Sequence, residues 1–171
     1  NIANMVRALV NRYASGARAK LKGSLSVGAP VEYPEVGVYH PSLPDLGMTE
    51  SVKALPRKGS KGTVGLLVGR SYLLARNRDH FDAAIAALEQ RGMTVIPAFA
   101  SALDARPAVE AYFRDAHGKP TIDALVNLTG FSMVGGPAYN NAAAARETLI
   151  ALDVPYLVMQ SLEFQSTEGW R

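Results

Sequence analysis

The chain has 171 residues, of which 48% are hydrophobic and 19% charged, a globular balance that excludes wholesale disorder and leaves room for one domain and an arm. Cysteine is absent, which excludes a disulfide framework, a thiolate metal site and a cysteine nucleophile. The formal net charge of +3 is uneven: residues 1–61 carry nine basic and four acidic side chains, residues 62–171 nine basic and eleven acidic, and no dense basic stripe marks a nucleic-acid footprint. No apolar run approaches the roughly 20 residues of a membrane-spanning helix, and no signal-peptide pattern opens the sequence. The first residue is Asn1, and Arg171 follows Trp170 without a tail-like composition, so the chain reads as a piece of something longer.

Residues 2–14 predict an amphipathic helix, with Ile2, Met5, Val6, Leu9, Val10 and Tyr13 at helical spacing and Ser15-Gly16 as a stop. Residues 17–61 are broken by Pro30, Pro34, Pro41, Pro44 and Pro56 with glycines between, and read as a connector containing one short extended piece, Val36 to His40. From Lys61 the pattern becomes regular. Thr63–Val68, Met93–Phe99, Ala124–Leu128 and Pro155–Met159 are apolar runs of strand length. Helices are expected between them: Arg78–Arg91 capped by Asn77, one beginning after Asp104 with Pro107 in its first turn, and one from Asn140 or Asn141 to about Leu152.

Strands apolar throughout and separated by helices imply a parallel sheet covered on both faces. The fold class expected is α/β, a flavodoxin-like or Rossmann-like three-layer domain over residues 62–171, preceded by a helix and connector over 1–61 from a preceding domain. Pro97 lies inside the second strand, where proline is tolerated at an edge, an end or a bulge. The strand order 2-1-3-4, with the second strand at the edge, fits that position.

Ligands of open parallel sheets bind beyond the carboxyl ends of the strands. The loop after the third strand, Thr129 to Asn140, is long and mixes Phe131 and Met133 with the turn Gly135-Gly136-Pro137. Glu163 and Glu168 follow the fourth strand and offer carboxylates for proton transfer. Strand one leads into Gly69-Arg70-Ser71, which is no phosphate cradle. The three histidines have no metal-pair spacing, and His40 is the one least easily read as a surface residue.

Several stretches carry a resemblance. Arg70-Ser71, Val95-Ile96-Pro97-Ala98-Phe99, Leu128-Thr129-Gly130-Phe131, Gly135-Gly136-Pro137-Ala138, Leu152-Asp153-Val154-Pro155-Tyr156 and Phe164-Gln165-Ser166-Thr167-Glu168-Gly169-Trp170 run in the order seen in the large, porphyrin-binding subunits of magnesium chelatases, which this chain resembles. The aerobic cobaltochelatase large subunits are relatives. The variant resembles the bacteriochlorophyll-making form most. It departs from the family at Tyr72, commonly His, and at Glu168-Gly169, often two acids.

The resemblance implies an internal segment of a subunit that inserts magnesium into protoporphyrin IX. Mg2+ is then a substrate, and ATP is hydrolysed by an AAA+ motor subunit and its bridging partner rather than bound here. It implies a cytoplasmic protein, peripheral to the photosynthetic membrane, whose isolated segment is inactive. Substrate-binding roles fall on Arg70, Ser71, Thr129, Phe131, Met133, Gly135, Gly136 and Gln165, and the catalytic carboxylate on Glu168 or Glu163, with no metal ligands in this segment. Two other readings stand beside it: a cobalt-inserting subunit acting on a corrin, and a flavodoxin-like scaffold module without chemistry of its own.

Overall fold

The computed structural model describes residues 1–57, 59–136, 138–160 and 166–171. They form two compact units, Asn1–Tyr33 and Pro34–Arg171. The first holds helix α1 (Ile2–Tyr13) and a 3-10 turn (Gly16–Leu21). The side chain of Asn11 fastens the chain that follows the turn, donating to Leu25 O at 2.7 Å and accepting from Leu25 N at 2.9 Å. The apolar stripe read from the sequence is present, but Ile2, Met5, Leu9 and Tyr13 are exposed.

The second unit is built on a six-stranded sheet. Its elements in order are β1 (Val36–Tyr39), β2 (Met48–Thr49), β3 (Thr63–Leu67), α2 (Arg70–Leu74), α3 (Asp79–Gln90), β4 (Thr94–Ala100), α4 (Arg106–Tyr112), β5 (Ala124–Asn127), the small ladder β6 (Gly135–Gly136) and β7 (Tyr139–Asn140), α5 (Ala142–Leu152), β8 (Tyr156–Val158) and α6 (Thr167–Trp170). The sheet order is β2-β1-β4-β3-β5-β8. Strands β4, β3, β5 and β8 are parallel, while β1 pairs antiparallel with both β4 and β2.

Two expectations are corrected by this order. The second parallel strand is not an edge, because β1 pairs beside it, Val36 to Ala100, Gly37 to Phe99 and Val38 to Ala98. That ladder stops at Pro97, which has no N–H to give it. The expected connector also contributes structure: Pro34–Lys61 lies within the α/β unit, so the division falls at 33/34 rather than 61/62.

Alternation along the strands sends side chains to two cores. On β3, Leu67 joins Ala98, Val109, Phe113, Leu125 and Leu152 on one face. Leu66 joins Phe81, Ile85, Val95 and Phe99 on the other. At Gly65 a Cβ would meet Ile122 Cδ1 at 2.8 Å, so the missing side chain is what lets Phe113 and Ile122 approach the strand. Asn141 accepts from Ala144 N at 3.0 Å and caps α5 as its sequence position suggests. Asn77 does not cap α3, which begins after Arg78 with no side-chain cap. The outer edge strand β8 leaves Leu157 and Val158 exposed.

A polar seam joins β1 to α3. Tyr39 is fully buried and its hydroxyl donates to Asp82 Oδ1. His40 is buried beside it. Ser42 N–H donates to His40 Nδ1 at 3.1 Å, so the ring proton sits on Nε2, 3.2 Å from Glu89 Oε1. This places His40 in the packing of the sheet against α3, away from the loops beyond the carboxyl ends of the strands.

Burial first, and then the bond to Asp82, push the Tyr39 hydroxyl well above its ordinary range; Arg78 acts weakly the other way. An unfolded tyrosine ionises near about pH 10 while this one stays neutral, so its stabilisation is complete below about pH 10 and is lost as pH rises further. Urea denaturation between neutral pH and strongly alkaline pH should show stability falling above about pH 10, and Tyr39→Phe should flatten part of that slope. Tyr112, raised by burial and then by Glu50, contributes to the remainder. An unchanged slope in Tyr39→Phe would assign the whole effect elsewhere.

Candidate functional site

Three strand-to-helix connections meet at the carboxyl edge of β3, β4 and β5. The central β3 has a strand on either side: the chain runs from it to β4 and from β4 back across to β5, the switch at which such sheets hold ligands. A cleft of about 310 Å3 opens there, lined from all three connections, by Arg70 and Tyr72, by Leu103, and by Thr129 and Phe131 among others.

The loop after β5 owes its shape to Asn127, which is fully buried at the end of the strand. Its Nδ2 donates to Phe131 O at 2.9 Å and to the Tyr156 hydroxyl at 3.0 Å. Its Oδ1 accepts from Thr129 N at 3.0 Å and from Thr129 Oγ1 at 2.8 Å. Both amide protons and both lone pairs are thereby used, and the loop is folded back onto the strand that launched it. The effect is to hold Phe131, 38% exposed, over the cleft.

Asp104 and Arg106 form a close pair beside it, with Nη2 to Oδ2 at 2.5 Å and Asp104 Oδ1 also accepting Arg106 N–H at 3.0 Å. The hydrogen bond from the Arg106 side chain holds the Asp104 carboxyl below its usual range. Both groups are partly exposed, so the pair shapes the entrance of α4 more than it stabilises the fold.

Of the residues predicted from the sequence, Arg70, Ser71, Thr129, Phe131 and Met133 line this cleft. Arg70 opens α2, a helix not foreseen, and its Nε donates to Pro34 O at 2.7 Å, bracing the segment that enters β1. Met133 is 2% exposed, so it belongs to the core beneath the cleft as much as to its wall. Gly135 and Gly136 are not in this cleft. They line a second one of about 540 Å3, with Leu103, Asp104 and Tyr139. Glu168 lies in α6, is exposed, and lines neither. Glu163 and Gln165 fall outside the described residues.

Sequence reasoning missed Asn127, Leu103 and Asp104. The first had a signal, an Asn two residues before Thr at a strand end. The described residues hold no cluster of three or more metal-ligating side chains, and no described helix is long and apolar enough to cross a membrane.

An α/β domain with loop-built clefts at the carboxyl edge of a mostly parallel sheet is the class these features define. Within it, the chain belongs to the CobN/Magnesium Chelatase family, which matches residues 1–171. It is 56% identical to the magnesium-chelatase H subunit of Cereibacter sphaeroides over 171 residues, covering 99% of this chain. It is 48% identical to that of Rhodobacter capsulatus over 171 residues and 100% of this chain. To the chloroplastic magnesium-chelatase ChlH protein of Oryza sativa subsp. indica it is 33% identical over 183 residues, 99% of this chain.

The chain spans 14% of the length of each bacterial relative and 13% of the rice protein. Among solved structures it is similar to the catalytic subunit of cobaltochelatase from Mycobacterium tuberculosis, with a TM-score of 0.55 and 21% identity over 98% of this chain and 14% of that one, a likeness of fold. The family resemblance read from the Leu-Thr-Gly-Phe and Gly-Gly-Pro-Ala motifs is borne out.

Proposed function

We propose that the chain is a segment of the large, porphyrin-binding subunit of a magnesium chelatase, supplying part of the wall against which protoporphyrin IX is held while Mg2+ is inserted. The observation that carries this reading is 56% identity to a magnesium-chelatase H subunit along nearly the whole chain, joined to a cleft whose exposed apolar groups include the aromatic Phe131. We read the domain as flavodoxin-like, and residues 1–33 as belonging with a preceding part of the parent subunit. The rest of that subunit is the natural cover for exposed Leu157 and Val158, since parallel sheets are normally buried on both faces.

Metallation removes two pyrrole protons and strips water from Mg2+, an ion that dehydrates reluctantly and prefers oxygen ligands. The cleft's part is apolar. Phe131 stacks on the macrocycle, and Thr129 and Ser71 present hydroxyls at its rim. Arg70 braces the entry to β1 and sets its guanidinium near a porphyrin propionate. Gly135 and Gly136 extend the wall, and Gln165 is a further substrate-binding residue. Glu168 or Glu163 accepts pyrrole protons once the rest of the subunit surrounds it. ATP is hydrolysed by the AAA+ motor subunit and its bridging partner, in the cytoplasm, with the complex peripheral to the photosynthetic membrane.

The test is a fluorescence-quenching titration of protoporphyrin IX with the full-length subunit. Phe131→Ala should raise Kd about three- to tenfold, the worth of one aromatic contact. Glu168→Gln should leave Kd unchanged and slow chelation in the assembled enzyme. Unchanged affinity in the first variant removes the cleft from the site, and an unchanged rate in the second removes Glu168 from proton transfer.

A further inference from the structure

The two clefts share one wall. Leu103 and Asp104 line both. The base of the wall is backbone: Gly135 N donates to Leu103 O at 2.5 Å, Ala105 N donates to Met133 O at 2.9 Å, and Asp104 bridges to Val134. Asp104 is held by its pair with Arg106. Ala102, at φ 64°, turns the chain from β4 into this wall, a conformation that residues other than glycine keep only where their surroundings impose it. One component is not tied down by hydrogen bonds. The Leu103 side chain is 46% exposed, and its methyl lies over Gly136, in the space a Cβ there would occupy.

We propose that the two clefts are halves of one trough, and that the Leu103 side chain is the partition that decides which planar ligands span it. This rests on the porphyrin reading and adds the residue that sets its specificity. The volumes support the division. The first cleft, about 310 Å3, sits at the lower limit of the roughly 300–1,000 Å3 range of small-molecule pockets. The second is about 540 Å3, and the two together reach the upper part of that range. A rigid macrocycle substituted around its whole rim is too broad for the first cleft alone, so it either spans both or is gripped by an edge. An exposed leucine changes rotamer on the fastest side-chain timescale without disturbing the backbone below it. The wall is therefore fixed at its base and adjustable at its crest. Gly136 allows the crest to fold down, because no side chain occupies the place where the Leu103 methyl rests.

The experiment uses the full-length subunit and two probes, protoporphyrin IX and the bulkier meso-tetrakis(4-sulfonatophenyl)porphyrin, each titrated by fluorescence quenching. Leu103→Ala should lower the ratio of the two Kd values, bulky over natural, about fivefold, because the crest is removed. Leu103→Trp should raise the protoporphyrin Kd about tenfold by overfilling the passage. Melting temperatures accompany both, and if the tryptophan variant does not fold, the alanine ratio decides alone. Phe131→Ala serves as the reference for the first cleft. If it weakens binding while the Leu103→Ala ratio stays within about twofold of the parent, the partition idea is wrong and the porphyrin reading stands. If Phe131→Ala also has no effect, both fall together.

Discussion

Asn127→Leu is expected to lower the unfolding free energy by about 2–4 kcal/mol, because it removes a fully buried amide whose four hydrogen bonds tie the loop to the strand and gains little burial in return. The side chain is 0% exposed and makes four hydrogen bonds. After the substitution, Thr129 N–H loses its acceptor inside the loop, and Phe131 O keeps only the longer bond from Thr129 Oγ1, at 3.3 Å. The Tyr156 hydroxyl, likewise only partly buried, loses the donor that Asn127 Nδ2 supplied at 3.0 Å. Urea denaturation of the chain measures the loss. Asn127→Asp keeps the acceptor for Thr129 and gives up the donors, so it should fall between parent and leucine variant. Under the porphyrin proposal, the same substitution in the full-length subunit should weaken protoporphyrin binding, because the carbonyl that Asn127 holds belongs to Phe131. Stability within about 1 kcal/mol of the parent would mean that the loop is held by its other contacts.

The parts of the fold legible in the sequence were those whose burial is uniform. Leu66-Leu67-Val68 is apolar because both faces of β3 are covered. Strand β1 reads from the sequence as an extended piece but not as part of the sheet. It is four residues long and surrounded by prolines, and its partner, Ala98–Ala100, lies some sixty positions away. Local pattern holds no trace of such a pairing. The proline rule itself was sound. Pro97 does limit pairing, but by ending the β1 ladder rather than by marking the edge of the sheet.

The candidate site divides in the same way. Its loop is conspicuous for length and composition, which singles out Thr129 and Phe131, lining the first cleft, and the glycine pair, lining the second. The residues that shape it were not. Asn127 reads as one position within the apolar run Ala124–Leu128, and Leu103 as an ordinary loop leucine. Ala102 has a left-handed backbone that its chemistry does not advertise.

Gly135→Ala is expected to cost more than any other change in this loop, about 3–5 kcal/mol, from backbone strain and overpacking together. At φ 116° the residue occupies backbone space that is essentially glycine's alone. A Cβ there would meet Tyr139 O, and Asn140 Cα at 2.7 Å. Both are backbone atoms of the paired strand β7, so neither can rotate aside. The neighbouring Gly136→Ala makes the opposite case. There the Cβ meets the Leu103 Cδ1 methyl at the end of a half-exposed side chain, which can move away, and the cost should stay below about 1 kcal/mol. The contrast separates a backbone requirement from a packing one at adjacent positions. Urea denaturation of the two variants gives the costs. Hydrogen exchange at the Asn141 amide, which donates to Val134 O at 2.9 Å, reports whether the hairpin has opened. Faster exchange should appear in the Gly135 variant and not in the Gly136 variant. Equal costs would mean that the β6–β7 ladder yields as readily as a leucine side chain. Gly135 would then have no special part in fixing the wall that divides the two clefts.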